Sequence, residues 1–321
     1  MFLRKKMKQI RFASSFFISY AKKMSVKTFA LPSFAKINWF LRILGKREDG
    51  FHELCTVFQT ISLHDRLTFS ESDRIVLTCD DENIPIDDRN LIVKAAKLLC
   101  EKHGIKKGAK IHLEKRIPAP GGLGGGSSNA AIALVGLAKL WELEIDYVKL
   151  AETGKKLGSD VPFFFHGGTA LGTGRGTEIS PLEDLEEKYI LIVTPDIAVS
   201  SAAAFARINA PHLTNYRSKS ILQICRNEAL ALDLRQTELI NDFEKTVFEN
   251  EFEIRRVKEK LLDYGSVRAL MSGSGASVFS IFDTEEKLKS ALVKLKSEQE
   301  WRVFEVGTIS RHEYQTLLGF V

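Results

Sequence analysis

Five glycines fall within the six positions from Gly121 to Gly126, directly ahead of a long apolar run (IPAPGGLGGGSSNAAIALVGLAKLW, 117–141). Glycine loses more backbone entropy on ordering than any other residue. A chain keeps such a cluster where its backbone must approach something closely, or must take angles that a side chain forbids. The preceding KIHLEKRIP (110–118) places Ile111, Leu113 and Lys115 in alternation and reads as a strand. The segment 128–142 is apolar on nearly every side, through Ile132, Leu134, Val135, Leu137, Leu140 and Trp141, and predicts a helix in the domain interior.

A strand, a glycine loop and a helix start form an anion site, because first-turn N–H groups lack intrahelical acceptors and the helix dipole favours negative charge there. Glycines let a phosphate chain lie against the backbone, and Ser127 and Ser128 can cap the helix or offer hydroxyls to a phosphate-bound Mg²⁺. The plainer alternative is a glycine loop with structural work alone. Two known phosphate loops do not match: no lysine precedes Ser127 for G-x-x-x-x-G-K-[ST], and the third glycine of G-x-G-x-x-G is replaced by Ser127.

Length, charge and cysteines narrow the setting. The 321 residues, 44% hydrophobic and 27% charged, suit about two globular domains. No run of 18 apolar residues marks a membrane span. The net charge of +5 comes from the start of the chain. Residues 1–23 hold seven of the 46 lysines and arginines and no acid, which leaves 39 basic against 41 acidic residues. A nucleic-acid partner is therefore not supported for the body of the protein. Residues 1–24 read as a basic, disordered leader, with a weak signal peptide, a membrane-surface segment or a natural start at Met24 as alternatives. Cys55, Cys79, Cys100 and Cys225 are scattered without a CxxC pair, so reduced thiols in a cytoplasm are expected.

The remaining elements follow from periodicity and turn residues. Strands are expected over 28–47, 74–79, 189–195, 269–282 and 303–309, and a glycine-rich hairpin over 167–179. Helices are expected over 90–103, 147–158, 199–208, 218–230, 241–263 and 284–298. The acidic patch PLEDLEEK (181–188) divides an amino-terminal domain, 25–182, from a carboxy-terminal one, 183–321.

Two charged residues stand in apolar surroundings. Lys36 lies within FAKINWF, where burial costs desolvation unless a negative partner is near. Asp160 precedes the apolar VPFFF and either faces a cleft or caps a turn. MSGSGASVF (271–279) adds a third glycine cluster that can cradle the far side of a phosphate group.

FAKINWFLRILGKREDGFHEL, PAPGGLGGGSSNAA and LMSGSGASVF, in this order, together resemble the GHMP small-molecule kinases, with GSDVPFF and NDFE (241–244) fitting the same pattern. The resemblance runs from about Thr28 to Ile309. It implies an α+β fold of two domains: an N-terminal mixed α/β domain with the glycine-rich phosphate loop and a C-terminal ferredoxin-like α/β sandwich, with the cleft between them. It also implies transfer of the ATP γ-phosphoryl, with Mg²⁺, to a small alcohol. The AKIN and GKREDG-aromatic-His blocks point to the branch that acts on the 2-hydroxyl of a cytidine-diphosphate-linked methylerythritol in non-mevalonate isoprenoid synthesis. By that resemblance Lys36 and Asp160 are catalytic. Pro118, Ala119, Pro120, Gly121, Gly122, Leu123, Gly124, Gly125, Gly126, Ser127 and Ser128 hold ATP, with Ser127 or Ser128 toward Mg²⁺. Asn38, Phe51, His52 and Phe205 meet the substrate, His52 at the cytosine edge and Phe205 against the base. Phe51 stands where the family usually has Tyr, and Phe34 where it favours Pro. Other readings are a kinase of the same superfamily acting on a different alcohol, a dinucleotide-binding oxidoreductase and an inactive binding protein.

Overall fold

The computed structural model describes residues 27–208, 210–212, 215–234 and 238–320, and the expected leader lies outside them. Two long strands begin the fold, β1 (Thr28–Lys46) and β2 (His52–Ser72), joined by the Asp49-Gly50 turn and paired antiparallel along their length. Register shifts at Phe34/Ala35, Asn38/Phe40 and Ile43/Gly45 bend β1. Then follow β3 (Ile75–Cys79), α1 (Leu91–His103), β4 (Gly108–Glu114), α2 (Gly125–Leu140), α3 (Tyr147–Gly154), a 3₁₀ turn (Val161–Phe165), β5 (Thr169–Gly174) and β6 (Glu178–Pro181). These strands form one sheet in the order β3-β4-β2-β5-β6, with β1 on β2.

The second half supplies β7 (Ile190–Pro195), α4 (Ser201–Arg207), α5 (Asn215–Leu230), α6 (Phe243–Asn250), α7 (Phe252–Asp263), β8 (Arg268–Met271), β9 (Val278–Ile281), α8 (Glu285–Leu295), β10 (Trp301–Val306) and α9 (Arg311–Leu318). Its strands make an antiparallel sheet in the order β10-β7-β9-β8, the order expected of a ferredoxin-like sandwich.

Three apolar clusters hold these layers. Helices α1 and α2 pack on one face of the first sheet through Ile92, Leu99, Ile132, Leu134, Leu67 and Phe69. The two sheets meet through Ile37, Trp39, Val57 and Ile61 against Ile190, Ile192 and Phe279. Period-two alternation sends the intervening Leu191 and Val193 to the opposite face, under α6, α7 and α8. Both faces of β7 are thus covered, and all six of its residues are buried.

Several boundaries differ from expectation. The apolar helix starts at Gly125, three residues early, with Gly124 as its N-cap at φ 70° and no side-chain cap. Neither serine caps it. The helix expected over 241–263 is two helices, broken at Glu251, whose φ of −123° and ψ of 78° are not helical. The acidic segment 181–188, expected to divide the domains, is held in place by its own carboxylates. Asp184 accepts from the backbone N–H of Thr169 and of Arg311 at 2.8 and 2.7 Å, and Glu187 is buried. No helix among the described residues is long and apolar enough to cross a membrane.

Candidate active site

Period-two alternation on β1 places Lys36 and Asn38 on one face, with Ile37 and Trp39 turned into the core between the sheets. Lys36 is 3% exposed. Its ammonium donates to Asn38 Oδ1 at 2.8 Å and to the Gly122 carbonyl at 2.9 Å, and lies 3.5 Å from Asp160 Oδ2. Burial lowers the Lys36 pKa from its ordinary value, and the Asp160 charge acts against that shift. The side chain of Asp160 is 33% exposed and caps nothing; of its two sequence-level readings, the cleft-facing one holds. The 3₁₀ turn after Asp160 is anchored from behind, because the Tyr314 hydroxyl on α9 donates to the Phe164 carbonyl at 2.5 Å. Residues far apart in sequence thus converge on one wall.

The glycine loop forms the facing wall. Gly122, at φ +71°, lies so close to the 272–275 turn that a Cβ there would sit 2.1 Å from the Ser272 carbonyl oxygen. Gly124, at φ +70°, would press a Cβ on Lys36 Cγ and on Phe164 Cζ, each at 3.0 Å. The loop backbone is tied on both sides. The Lys36 N–H donates to Leu123 O at 2.9 Å, and the Ser277 N–H donates to Gly121 O at 3.1 Å. The Ser272 hydroxyl donates to Gly122 O at 3.0 Å, so that carbonyl accepts from both the lysine and the third glycine cluster. Beyond the loop, the N–H groups of Gly125, Gly126 and Ser127 occupy the first turn of α2 and have no intrahelical acceptor.

The two serines part company. Ser128 is fully buried, within 2.8 Å of the Ser33 hydroxyl, and cannot reach a ligand in the cleft. Ser127 lines the cleft. Of the pair, the hydroxyl available to a cation is therefore Ser127. Asn38 also lines the cleft, but its amide is engaged with Lys36 and, at 2.8 Å, with Thr56 Oγ1, so it fixes the lysine's direction.

All the loop residues from Pro118 to Ser127 line a cavity of about 400 Å³ together with Lys36, Asn38 and Asp160. It adjoins a second cavity of about 730 Å³ lined by Phe51, His52 and Phe205. The His52 and Phe205 rings lie face to face, 5.2 Å between centroids and 18° between planes. Phe243 meets Phe205 edge-on at 4.8 Å. Burial, and then the charge of Lys46, lower the pKa of His52. Phe51 is 47% exposed, with one face covered by the Arg175 guanidinium at 3.3 Å. Phe34, the other departure from the family pattern, is buried in the core beside His64 and Tyr314, away from the cleft.

Sequence reasoning assigned no role to three contributors. Asn241 donates to the Met271 and Gly273 carbonyls at 2.6 and 2.8 Å and bridges to Leu41 of β1, so NDFE clamps the third glycine cluster to the lysine's own strand. Asp65, fully buried, anchors residues 115–117 at the base of the glycine loop. Arg175, between Gly174 and Gly176 in the 167–179 hairpin, lines both cavities. An isolated charge between two glycines was the available signal for it.

Comparison with known proteins places the chain in a family. The GHMP kinases N terminal domain matches residues 90–168 and the GHMP kinases C terminal domain residues 222–300. The 4-diphosphocytidyl-2-C-methyl-D-erythritol kinase of Thermodesulfovibrio yellowstonii is 39% identical over 264 residues, 81% of this chain and 92% of the relative. The kinase of the same name from Syntrophotalea carbinolica is 37% identical over 287 residues, 89% of this chain and all of the relative. A crystal structure of 4-(cytidine 5'-diphospho)-2C-methyl-D-erythritol kinase superposes with a TM-score of 0.70 at 32% identity, covering 88% of this chain and 99% of that one. Methanococcus jannaschii mevalonate kinase shares the fold, with a TM-score of 0.68 at 16% identity over 90% of this chain and all of that one.

Proposed function

The chain belongs to the 4-diphosphocytidyl-2-C-methyl-D-erythritol kinases within the GHMP kinases, and from that membership we propose how its own residues carry out phosphoryl transfer from ATP to the 2-hydroxyl of the cytidine-diphosphate-linked methylerythritol. It is a small-molecule kinase of isoprenoid precursor synthesis, and neither the oxidoreductase nor the inactive-binder reading survives the membership. The observation that carries the assignment of roles is the Lys36–Asp160 contact at 3.5 Å, opposite the glycine loop.

Phosphoryl transfer passes through a loose transition state, so catalysis is mainly positioning and charge stabilisation. The loop from Pro118 to Ser127 receives the ATP phosphates on main-chain N–H groups at the start of α2. Asp160 accepts the proton of the substrate hydroxyl. Lys36 stabilises negative charge on the transferred group, and Asn38 and the Gly122 carbonyl fix its direction. The Ser127 hydroxyl and the Asp160 carboxylate are hard oxygen donors of the kind Mg²⁺ takes beside phosphate oxygens. An ion held by them would neutralise phosphate charge. At the other end, the cytosine takes the face of Phe205 that His52 now covers, and His52 turns to the base edge. Residues 25–182 then supply the donor side and the catalytic pair, and 183–321 supply Phe205 and the 272–275 turn.

The test is ADP release by the purified chain with the cytidine-linked methylerythritol, mevalonate, homoserine or galactose as acceptor. Turnover is expected with the first, and Asp160→Ala should lower it by about 10²-fold or more. Turnover confined to another acceptor refutes the substrate reading. Near-normal turnover in Asp160→Ala removes that residue from its role.

A further inference from the structure

The two cavities share Leu54, Ser159, Arg175 and Phe205, so they are two ends of one cleft joined at a neck. Arg175 is the only charged residue of these four. Among the described residues, the wider cavity is lined by Lys46, His52, His212 and Arg175 and by no carboxylate. Such a wall suits an anionic ligand.

Arg175 is held ready and left without a counter-ion. It stands at the tip of the β5–β6 hairpin, where Gly174 (φ +67°) and Gly176 (φ +86°) make the turn and the Gly176 N–H donates to Thr173 O at 3.0 Å. Its guanidinium lies over the Phe51 ring, 3.3 Å from the centroid. Its Nε is buried and has no hydrogen-bond partner. Nearby carboxylates are taken by other donors. Glu53 accepts from Arg47 at 2.5 Å and from the Gly174 N–H at 3.1 Å, and Glu178 accepts from the Thr173 hydroxyl at 3.1 Å. Among the described residues no carboxylate pairs with Arg175. The guanidinium lines the neck without a carboxylate partner among the described residues, where an anionic ligand can supply acceptors.

We propose that Arg175 is the specificity residue that reads the diphosphate bridge of the substrate, gripping it at the neck between the base end and the phosphoryl-transfer end. The inference rests on the substrate reading given above. A ligand with a cytosine at Phe205 and an alcohol at Asp160 must pass its linking group through the neck. A planar guanidinium offers the paired donors that phosphate oxygens accept side by side. Stacking on Phe51 fixes the plane of that fork before the ligand arrives. Phe51 therefore serves Arg175 on one face, a contact that needs the aromatic ring and no hydroxyl.

The test uses the whole chain, with Arg175→Ala and Arg175→Lys, in steady-state kinetics and in direct binding of cytidine diphosphate and cytidine. Arg175→Ala should raise KM for the cytidine-linked substrate by about 10- to 100-fold, the range for a charged hydrogen bond. KM for ATP should stay within about twofold, since the glycine loop holds those phosphates. The wild-type preference for cytidine diphosphate over cytidine should collapse in the same variant, and Arg175→Lys, with a charge but no fork, should fall between. An unchanged substrate KM, or a rise confined to the ATP KM, overturns the proposal. A wild-type chain inactive on the substrate refutes the substrate reading alone, because the cytidine diphosphate binding arm still decides for or against Arg175. Should Arg175→Ala not fold, Arg175→Lys carries the same test with a smaller expected rise.

Discussion

Asp65 offers the sharpest test of how the glycine loop is held. It lies on β2 with no exposed surface. Its carboxylate accepts from Lys115 Nζ at 2.9 and 3.1 Å, from the N–H of Arg116 at 2.7 Å and of Ile117 at 2.8 Å, and from Asn129 Nδ2 at 3.0 Å. Lys115 also donates to the Ile117 carbonyl and is itself buried, which lowers its pKa against the pull of Asp65. In Asp65→Asn the remaining oxygen can keep the two backbone N–H groups, but the new amide then faces the Lys115 ammonium and the Asn129 amide, donor against donor. Orphaning one member of a buried ion pair costs about 3–5 kcal/mol, a large share of the roughly 5–15 kcal/mol that holds a typical native domain. Urea unfolding near neutral pH should show that loss as a lower midpoint at unchanged slope. Adding Lys115→Met removes the stranded cation and should recover at least half of it. A loss below about 1 kcal/mol, or no recovery in the double variant, would show that the charge is compensated by something other than Asp65 and refute the reasoning.

Two further outcomes follow from the same site. Gly122→Ala forces a Cβ against two backbone oxygens, at 2.1 Å from Ser272 O and 2.9 Å from Gly275 O, in a left-handed conformation that alone costs about 1–2 kcal/mol; KM for ATP should rise by about tenfold or more in kinetics, whereas Gly126→Ala, with nothing nearer than 3.9 Å, should keep or slightly raise stability through helix propensity. Lys36→Met tests the direction of the lysine's pKa shift: with the folded value below the ordinary 10.5, the folded protein binds fewer protons than the unfolded chain between those two values, so this contribution to wild-type stability is full above 10.5 and is lost as pH falls through the folded value. Wild-type unfolding midpoints should therefore gain on those of Lys36→Met as pH rises toward 10.5, and parallel curves would contradict the burial argument.

The parts of this fold legible in the sequence were those in which one local signal had one meaning. The segment 128–142 is apolar on every side because α2 is enclosed by the first sheet and its neighbouring helices, and no tertiary partner contradicts that pattern. The serines misled because Ser is a preferred N-cap, yet a left-handed Gly124 starts the helix and draws both serines inside it. Nothing in 241–263 announces the break at Glu251, since helical spacing continues on both sides of it. The closing helix α9 was readable and went unread: Ser310 and Glu313 have capping-box spacing, and the Ser310 hydroxyl accepts from the Glu313 N–H at 3.2 Å. Lys36 and Asp160 were singled out for their apolar surroundings and for the family resemblance, but no local pattern tells that they meet. Arg175 carried a local signal, a lone charge between two glycines, but its lack of a carboxylate partner among the described residues shows only in three dimensions.

The Gly122 carbonyl explains why the glycine pattern, rather than any side chain, is the strongest signal in the chain. It accepts from Lys36 of β1 and from Ser272 of the third glycine cluster, whose turn is in turn clamped by Asn241 to Leu41, also on β1. The circuit closes on itself: strand, loop, turn and strand again. The loop carbonyl orients the Lys36 ammonium, so under the proposed roles donor phosphate and lysine are positioned by one set of contacts. Main-chain contacts at 3 Å exclude a Cβ, so these positions require glycine. The groups proposed to meet the acceptor, His52, Phe205 and Arg175, stand outside this circuit on the wider cavity. Under those proposed roles, acceptor preference can change while the frame, whose fold is shared with a mevalonate kinase at 16% identity, stays the same.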